Sequence, residues 1–303
     1  MGTIFAMTIA PCAPVRSETH PFKVADTHLR LPSSALNSCV RAYVSRNTSG
    51  IALAAHEMFN HYAASPLCTI MWTIKGDGEV VSIGGLPVTQ ATNNKIIVAG
   101  PHTVPSVTKN IGELHGLMVF FMPDAFHALT GIDVASLVNT FMPIADLLDT
   151  SWQRMAQDVL VATDDTARIQ LLETFLLARW EACRDQLPKP VSRHHDWVIN
   201  LATRAALSGV GKSTRQLERR VKRWSGQSLQ RLRGIARTET AFFEVRDALE
   251  NKMLSWAEVA FNTGFSDQAH MCREVRRITG YSPEEFKQAM ATEESFWLYR
   301  LWM

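Results

Sequence analysis

The spacing of hydrophobic and polar positions changes character along this 303-residue chain. In the first half the apolar residues come in short runs of the β type, among them Cys68 to Ile74, Lys95 to Val98 and Leu117 to Met122. Gly76-Asp77-Gly78 separates the run Thr69 to Ile74 from the run Glu79 to Ile83, which predicts a hairpin. From Asp124 the period lengthens, and helices are predicted over Ala125 to Leu129, Val134 to Leu148, Trp152 to Val161 and Ala167 to Arg184. In the last of these Ile169, Leu172, Phe175, Leu176 and Trp180 make one apolar stripe, read as core rather than as a dimer seam.

Residues 1 to 30 lack any period and are read as a loose leader. Gln186-Leu187-Pro188-Lys189-Pro190 is the linker, because two prolines a residue apart cannot continue the helix before them. Beyond it the pattern is helical throughout. Ser213 with Gln216, Ser255 with Glu258 and Ser282 with Glu285 each fit the capping box, in which a serine and a Glu or Gln three residues on satisfy each other's backbone amides. Pro283 stands at the first helical position. A long helix is predicted over Leu232 to Leu249, with Ile235, Ala241, Phe242, Val245 and Leu249 available for burial on both sides. The fold class expected is α+β: a β-rich N-terminal domain with a helical bridge, then an all-α domain.

Composition adds little until it is divided along the chain. Hydrophobic content of 46% with 20% charge is that of an ordinary globular protein, and the length favours two domains. Net charge is only +2, but residues 191 to 290 hold 17 Lys/Arg against 11 Asp/Glu, and the remainder 14 against 18. A basic C-terminal third on a mildly acidic body points to a polyanion-binding module. Five scattered cysteines, never in a C-x-x-C pair, argue against disulfides and zinc knuckles and for a reducing, cytoplasmic setting. The first twelve residues carry no Lys or Arg ahead of their apolar run, so no secretory signal is expected, and Ala6 fails the myristoylation pattern. No apolar run approaches eighteen residues, so no membrane partner is expected.

Six basic side chains lie between Lys212 and Arg223 on one amphipathic helix. Leu217, Val221 and Trp224, at i, i+4 and i+7, face a core, while Arg215, Glu218, Arg219 and Lys222 share the opposite face. A second unit follows. A short helix from Ser255 stops near Asn262, a turn passes through Gly264, and a new helix starts behind Ser266 or Asp267, with Met271, Val275 and Ile278 facing inward. Gln268, Ala269, Cys272, Arg273 and Arg276 then point outward, which is the grammar of a helix-turn-helix.

These segments resemble the AraC/XylS family of transcription regulators, whose DNA-binding module joins two helix-turn-helix units by a long helix. The resemblance rests on Ser213-Thr-Arg-Gln-Leu-Glu-Arg-Arg-Val221, Gly226-Gln-Ser228, Arg237, Ala241, Val259-Ala260, Gly264-Phe-Ser-Asp-Gln268 and Gly280-Tyr-Ser-Pro283, over roughly residues 205 to 290. Gly116 to Pro123 followed by Leu129-Thr-Gly131 looks like the sensor regions of some such regulators. The resemblance implies that Arg215, Glu218 and Arg219 enter one major groove, and Gln268, Ala269, His270 and Arg273 the next, roughly 34 Å along the duplex. Arg suits guanine, Gln adenine and Glu the cytosine amino group. Ser213 is expected to hold a phosphate at a helix start, with Lys212, Lys222 and Arg276 as further phosphate partners. Double-stranded DNA and RNA polymerase are the implied partners, with a small-molecule effector and a homodimer assigned to the N-terminal half. The division read is leader 1–30, sensing or dimerisation domain 31–187, DNA-binding domain 188–290 and tail 291–303. Departures are a first unit short on its upstream side at Leu207-Ser-Gly-Val-Gly211, and Val221, Val275 and Met271 where the family carries aromatics.

Two other chemistries fit less well. Gly209-Val-Gly-Lys-Ser-Thr214 mimics the end of a phosphate-binding loop, but its first glycine would fall on Ala206 and no strand precedes it. His56-Glu-Met-Phe-Asn-His61 is one residue too long for H-E-x-x-H, and no spacing links His56, His61, His102 and His115 as metal ligands of a cupin-like barrel. No cofactor, metal or catalytic residue is assigned. An enzyme or metal-binding cupin-like module with a DNA-binding tail is the alternative reading.

Overall fold

The computed structural model describes residues 14–17, 25–91, 94–184, 194–208, 213–249 and 255–302. Nine strands in the described residues form one antiparallel sheet: β1 (Pro14–Ser17), β2 (Asp26–Arg30), β3 (Val40–Asn47), β4 (Phe59–Tyr62), β5 (Cys68–Ile83), β6 (Leu86–Ala91), β7 (Ile96–Ala99), β8 (Ser106–Phe121) and β9 (Phe141–Pro143). The order is β1-β2-β3-β8-β5-β7-β9, with β4 also on β8 and β6 also on β5. The segment read as a leader thus contributes β1 and β2 to the sheet.

The predicted hairpin at Gly76 does not form. β5 runs through it unbroken, paired with β8 from Cys68↔Phe121 to Ile83↔Ser106, with register shifts between Thr73 and Asp77. Gly76 has φ +81°, and a Cβ there would stand 1.9 Å from the Glu113 carbonyl oxygen. The glycine serves a bulge that bends two long strands together rather than a turn that ends them.

Alternation along the strands sorts the two faces. Cys68, Ile70 and Trp72 of β5 and Leu117, Val119 and Phe121 of β8 enter the main core, whereas Met118 joins Ala42 and Val44 on the other side. The main core is closed by α1 (Pro123–Thr130), α2 (Ile144–Leu147), α3 (Thr150–Val161) and α4 (Asp165–Cys183). Val134 to Leu148 is not one helix. A 3-10 turn at Val134–Leu137 gives way to Asn139 at φ +59°, then to β9 and Pro143, which cannot sit in a helix interior. In α4 the residues Ile169, Leu172, Leu176 and Trp180 are buried in the core and Phe175 packs against it, as the stripe requires.

The C-terminal part is all helical: α5 (His194–Leu207), α6 (Thr214–Ser225), α7 (Leu229–Leu249), α8 (Trp256–Asn262), α9 (Gln268–Thr279), α10 (Pro283–Thr292) and α11 (Trp297–Trp302). The capping boxes at Ser255/Glu258 and Ser282/Glu285 are formed. A full 14-residue α5 reaches Leu207, so the helix before α6 is not truncated as the sequence suggested. The segment read as a tail folds too. Trp297, Leu298 and Leu301 cover the outer sheet face over Leu29, Ala42 and Val44. The predicted linker Gln186–Pro190 and the stretch 209–212, with Lys212, lie outside the described residues.

Candidate nucleic-acid interface

α6 starts behind Ser213, whose side chain accepts from the Gln216 amide, and ends at Gly226 in the left-handed conformation. Its apolar face is held: Val221 is buried in the main core, with Leu217 and Trp224 packed against it. That leaves Arg215, Arg219, Lys222 and Arg223 exposed on one side. Glu218 sits on the edge of this row. Its carboxylate accepts from the Leu229 amide at 3.4 Å, at the start of α7, so it is engaged in capping as well as facing the basic row.

α9 is built alike. Asp267 caps it by accepting from the His270 amide at 2.7 Å, and that bond, aided by Ser266 and the charge of Arg273, holds the Asp267 carboxyl below the usual carboxylate range. Met271, Val275 and Ile278 are buried. Gln268, Ala269, Arg273 and Arg276 are exposed on the other side. His270 is half-buried, with Nδ1 3.0 Å from Ser266 Oγ and its ring edge-on to Phe265. It steadies the turn at the entry to α9. Arg276 pairs with Glu285 at 3.2 Å, both side chains more than half exposed; such a pair is worth little in water and gives way to a phosphate at small cost.

The connecting helix is expected from the sequence, but the side-chain contacts that fix it to the second unit are not. α7 crosses α9 where Gly234 leaves room for the Glu274–Arg277 ion pair. The Arg237 guanidinium lies 5.2 Å from the centre of the Phe265 ring, tying α7 to the turn of the second unit. Both units also rest on the β-rich domain. Gly226, after α6, packs on Val134 and Val138, and the Ala64 amide donates to the carbonyl of Ile278 in α9 at 2.7 Å. The same docked face carries Arg41 of β3 with Glu239 of α7, and Asp124 of α1 with Arg204 and Trp197 of α5.

The histidines weighed as metal ligands stand apart. His56 is exposed, His61 stacks on Phe296, His102 Nδ1 contacts the Gly100 carbonyl, and His115 pairs with Asp165. No three His, Cys, Asp or Glu side chains converge among the described residues. No helix among them is long and apolar enough to cross a membrane.

A protein family described as a helix-turn-helix domain matches residues 207–289. No curated protein matches the chain. Among solved structures, an apo variant of ToxT from Vibrio cholerae is similar at 10% identity over 75% of this chain and 92% of that one, with TM-score 0.37. ToxT from Vibrio cholerae with an unsaturated fatty acid bound is similar at 13% identity over 75% and 93%, with TM-score 0.35. The AraC-like transcriptional activator CuxR is similar at 15% identity over 75% and 81%, with TM-score 0.31.

Proposed function

We propose that the chain is an effector-responsive, DNA-binding transcription regulator that reads two successive major grooves with α6 and α9, a reading that the helix-turn-helix match over residues 207–289 supports. The observation that carries this reading is the repeated construction of those helices. Each has a serine or aspartate cap, an apolar face locked into a core and an exposed face rich in arginine, and the 21-residue α7 stands between them. Arg215, Arg219 and Glu218 are assigned to one groove, and Gln268, Ala269, His270 and Arg273 to the other, by the donor and acceptor logic of base edges. Ser213, Lys222 and Arg276 are assigned to phosphates, which fix register and make affinity fall with salt. The reading places the protein in the cytoplasm, with RNA polymerase as partner. It assigns the chain no reaction.

Selection of random duplex DNA by the full-length protein tests the reading, followed by titration of the winner with Arg219→Ala and Arg273→Ala. A two-part consensus spaced by about one helical turn, with each substitution costing about 1 to 3 kcal/mol, is the expected result. Enrichment of one half-site alone, or affinity indifferent to both substitutions, removes the two-groove reading.

A further inference from the structure

A cavity of about 230 Å³ lies between the sheet and the DNA-binding helices, and its wall is almost wholly apolar. Met71, Met118, Phe120 and Phe141 line it from the sheet side, and Ile235 and Phe242 from α7. We propose that this cavity binds a small, uncharged, largely apolar effector carrying a hydroxyl group, and that the protein senses it there. The proposal rests on the regulator reading above, and names the site and chemical class of the effector.

Charge decides the class. An ionised ligand buried against this wall needs an opposite charge within reach, or desolvation defeats it. The basic residues lining the cavity are Arg41, His102 and His194. Arg41 and His194 both converge on Glu239, at 3.3 and 3.1 Å, so Arg41, the one permanent cation of the wall, is already paired with a carboxylate. Burial lowers the pKa of His102, which favours its neutral ring. A carboxylate would have to take Arg41 from Glu239, and an ammonium would have to take Glu239 from Arg41.

The hydroxyl follows from two lining side chains. His102 Nδ1 lies 2.9 Å from the Gly100 carbonyl, which only accepts, so Nδ1 carries the proton and Nε2 the lone pair. His102 Nε2 and Thr238 Oγ1 are both buried with no hydrogen-bond partner. A ligand hydroxyl can satisfy either one, by giving a proton to the ring nitrogen or by accepting one from the threonine. Since the sheet and α7 both supply the wall, an occupant contacts both domains and so biases their arrangement.

Full-length protein titrated with 1-octanol and, in parallel, with octanoate at pH 7.5 separates charge from chain length. The expected result is a dose-dependent rise in Tm with octanol and less than a tenth of that rise with octanoate. Octanol should also perturb the methyl carbon resonances of Met71 and Met118 in 13C-methionine-labelled protein. Ala99→Leu from the sheet and Ile235→Phe from α7 shrink the cavity, and whichever folds should weaken octanol binding at least tenfold. Octanoate binding as well as octanol overturns the uncharged class. Absence of an octanol shift, or methyl changes confined to methionines other than Met71, Met118 and Met290, which also lines the cavity, overturns the site. DNA affinity is measured in the same preparations without ligand: binding of octanol with no selectable duplex sinks the regulator reading alone, and the reverse pattern sinks the cavity alone.

Discussion

The guanidinium of Arg41, on the third strand of the sheet, lies 3.3 Å from the carboxylate of Glu239, in the middle of the helix that connects the two helix-turn-helix units. The same carboxylate accepts from the backbone amide of His194 at 2.8 Å. One acidic side chain therefore joins the β-rich domain, the connector helix and the first helix after the bridge.

This junction predicts an acid-sensitive interface. Burial by itself raises the pKa of Glu239, but His194 and Arg41 outweigh it and hold the carboxyl at about 2, against an ordinary 4.5. The folded pKa lies below the unfolded one, so the stabilisation is complete above pH 4.5 and drains away as pH falls towards about 2. Glu239→Gln should lower stability at pH 7 and flatten the acid limb of a denaturation-versus-pH curve. An acid limb identical to that of the parent protein would take Glu239 out of the account.

The bulge in β5 predicts two unequal glycine substitutions. Gly76→Ala must place a Cβ 1.9 Å from the Glu113 carbonyl oxygen at φ +81°, whereas Gly112→Ala meets open space at φ +76°. Left-handed strain alone costs about 1 to 2 kcal/mol, and the clash adds about 1 to 3 more for Gly76. Thermal denaturation should therefore show the Gly76 variant losing more Tm than the Gly112 variant; equal losses would mean that the strands do not bend at Gly76.

Trp297 should behave as a core residue although it lies in the segment 291–303 read as a tail. It is buried, donates its indole N–H to Asn60 Oδ1 at 2.8 Å, and has the Arg46 guanidinium 4.6 Å from its ring centre. Trp297→Ala is expected to cost about 3 to 5 kcal/mol in a denaturant titration. A cost under about 1 kcal/mol, the level of a surface change, would show that the last helix merely leans on the sheet.

Lys222 is exposed on the basic side of α6, and the proposal gives it a phosphate rather than a base. Lys222→Ala should weaken binding to all duplexes alike and make the slope of log affinity against log salt shallower by about 1. An unaltered slope would deny it the phosphate.

Local chemistry was legible in the sequence and distant chemistry was not. Ser255 with Glu258 and Ser282 with Glu285 are read directly, because a capping box needs only residues three apart. The inward set Met271, Val275 and Ile278 follows from helical period alone. Gly76 misled, because a left-handed glycine serves a bulge and a turn equally well, and only the partner strand decides between them. Pro143 and Asn139 broke a segment whose apolar content looked helical. At the interface, the family resemblance implies Glu218 and His270 as base contacts, while the Leu229 amide and Ser266 that engage them are visible only in three dimensions. The junction of Arg41, Glu239 and His194 spans too much sequence for any pattern to link it.

The return of α11 to the sheet sets the geometry of any rearrangement. A module hung from a single tether can sweep a volume limited only by the tether's length. Here the C-terminal helices are held in two places, at the docked face where Glu239 takes Arg41 and Asp124 takes Arg204, and at Trp297 on the outer face of the sheet. With both anchors in place the helices have a pivot line rather than a pivot point, and α6 and α9 can change their pitch to a duplex only by swinging together about it, unless Trp297 lets go of the sheet.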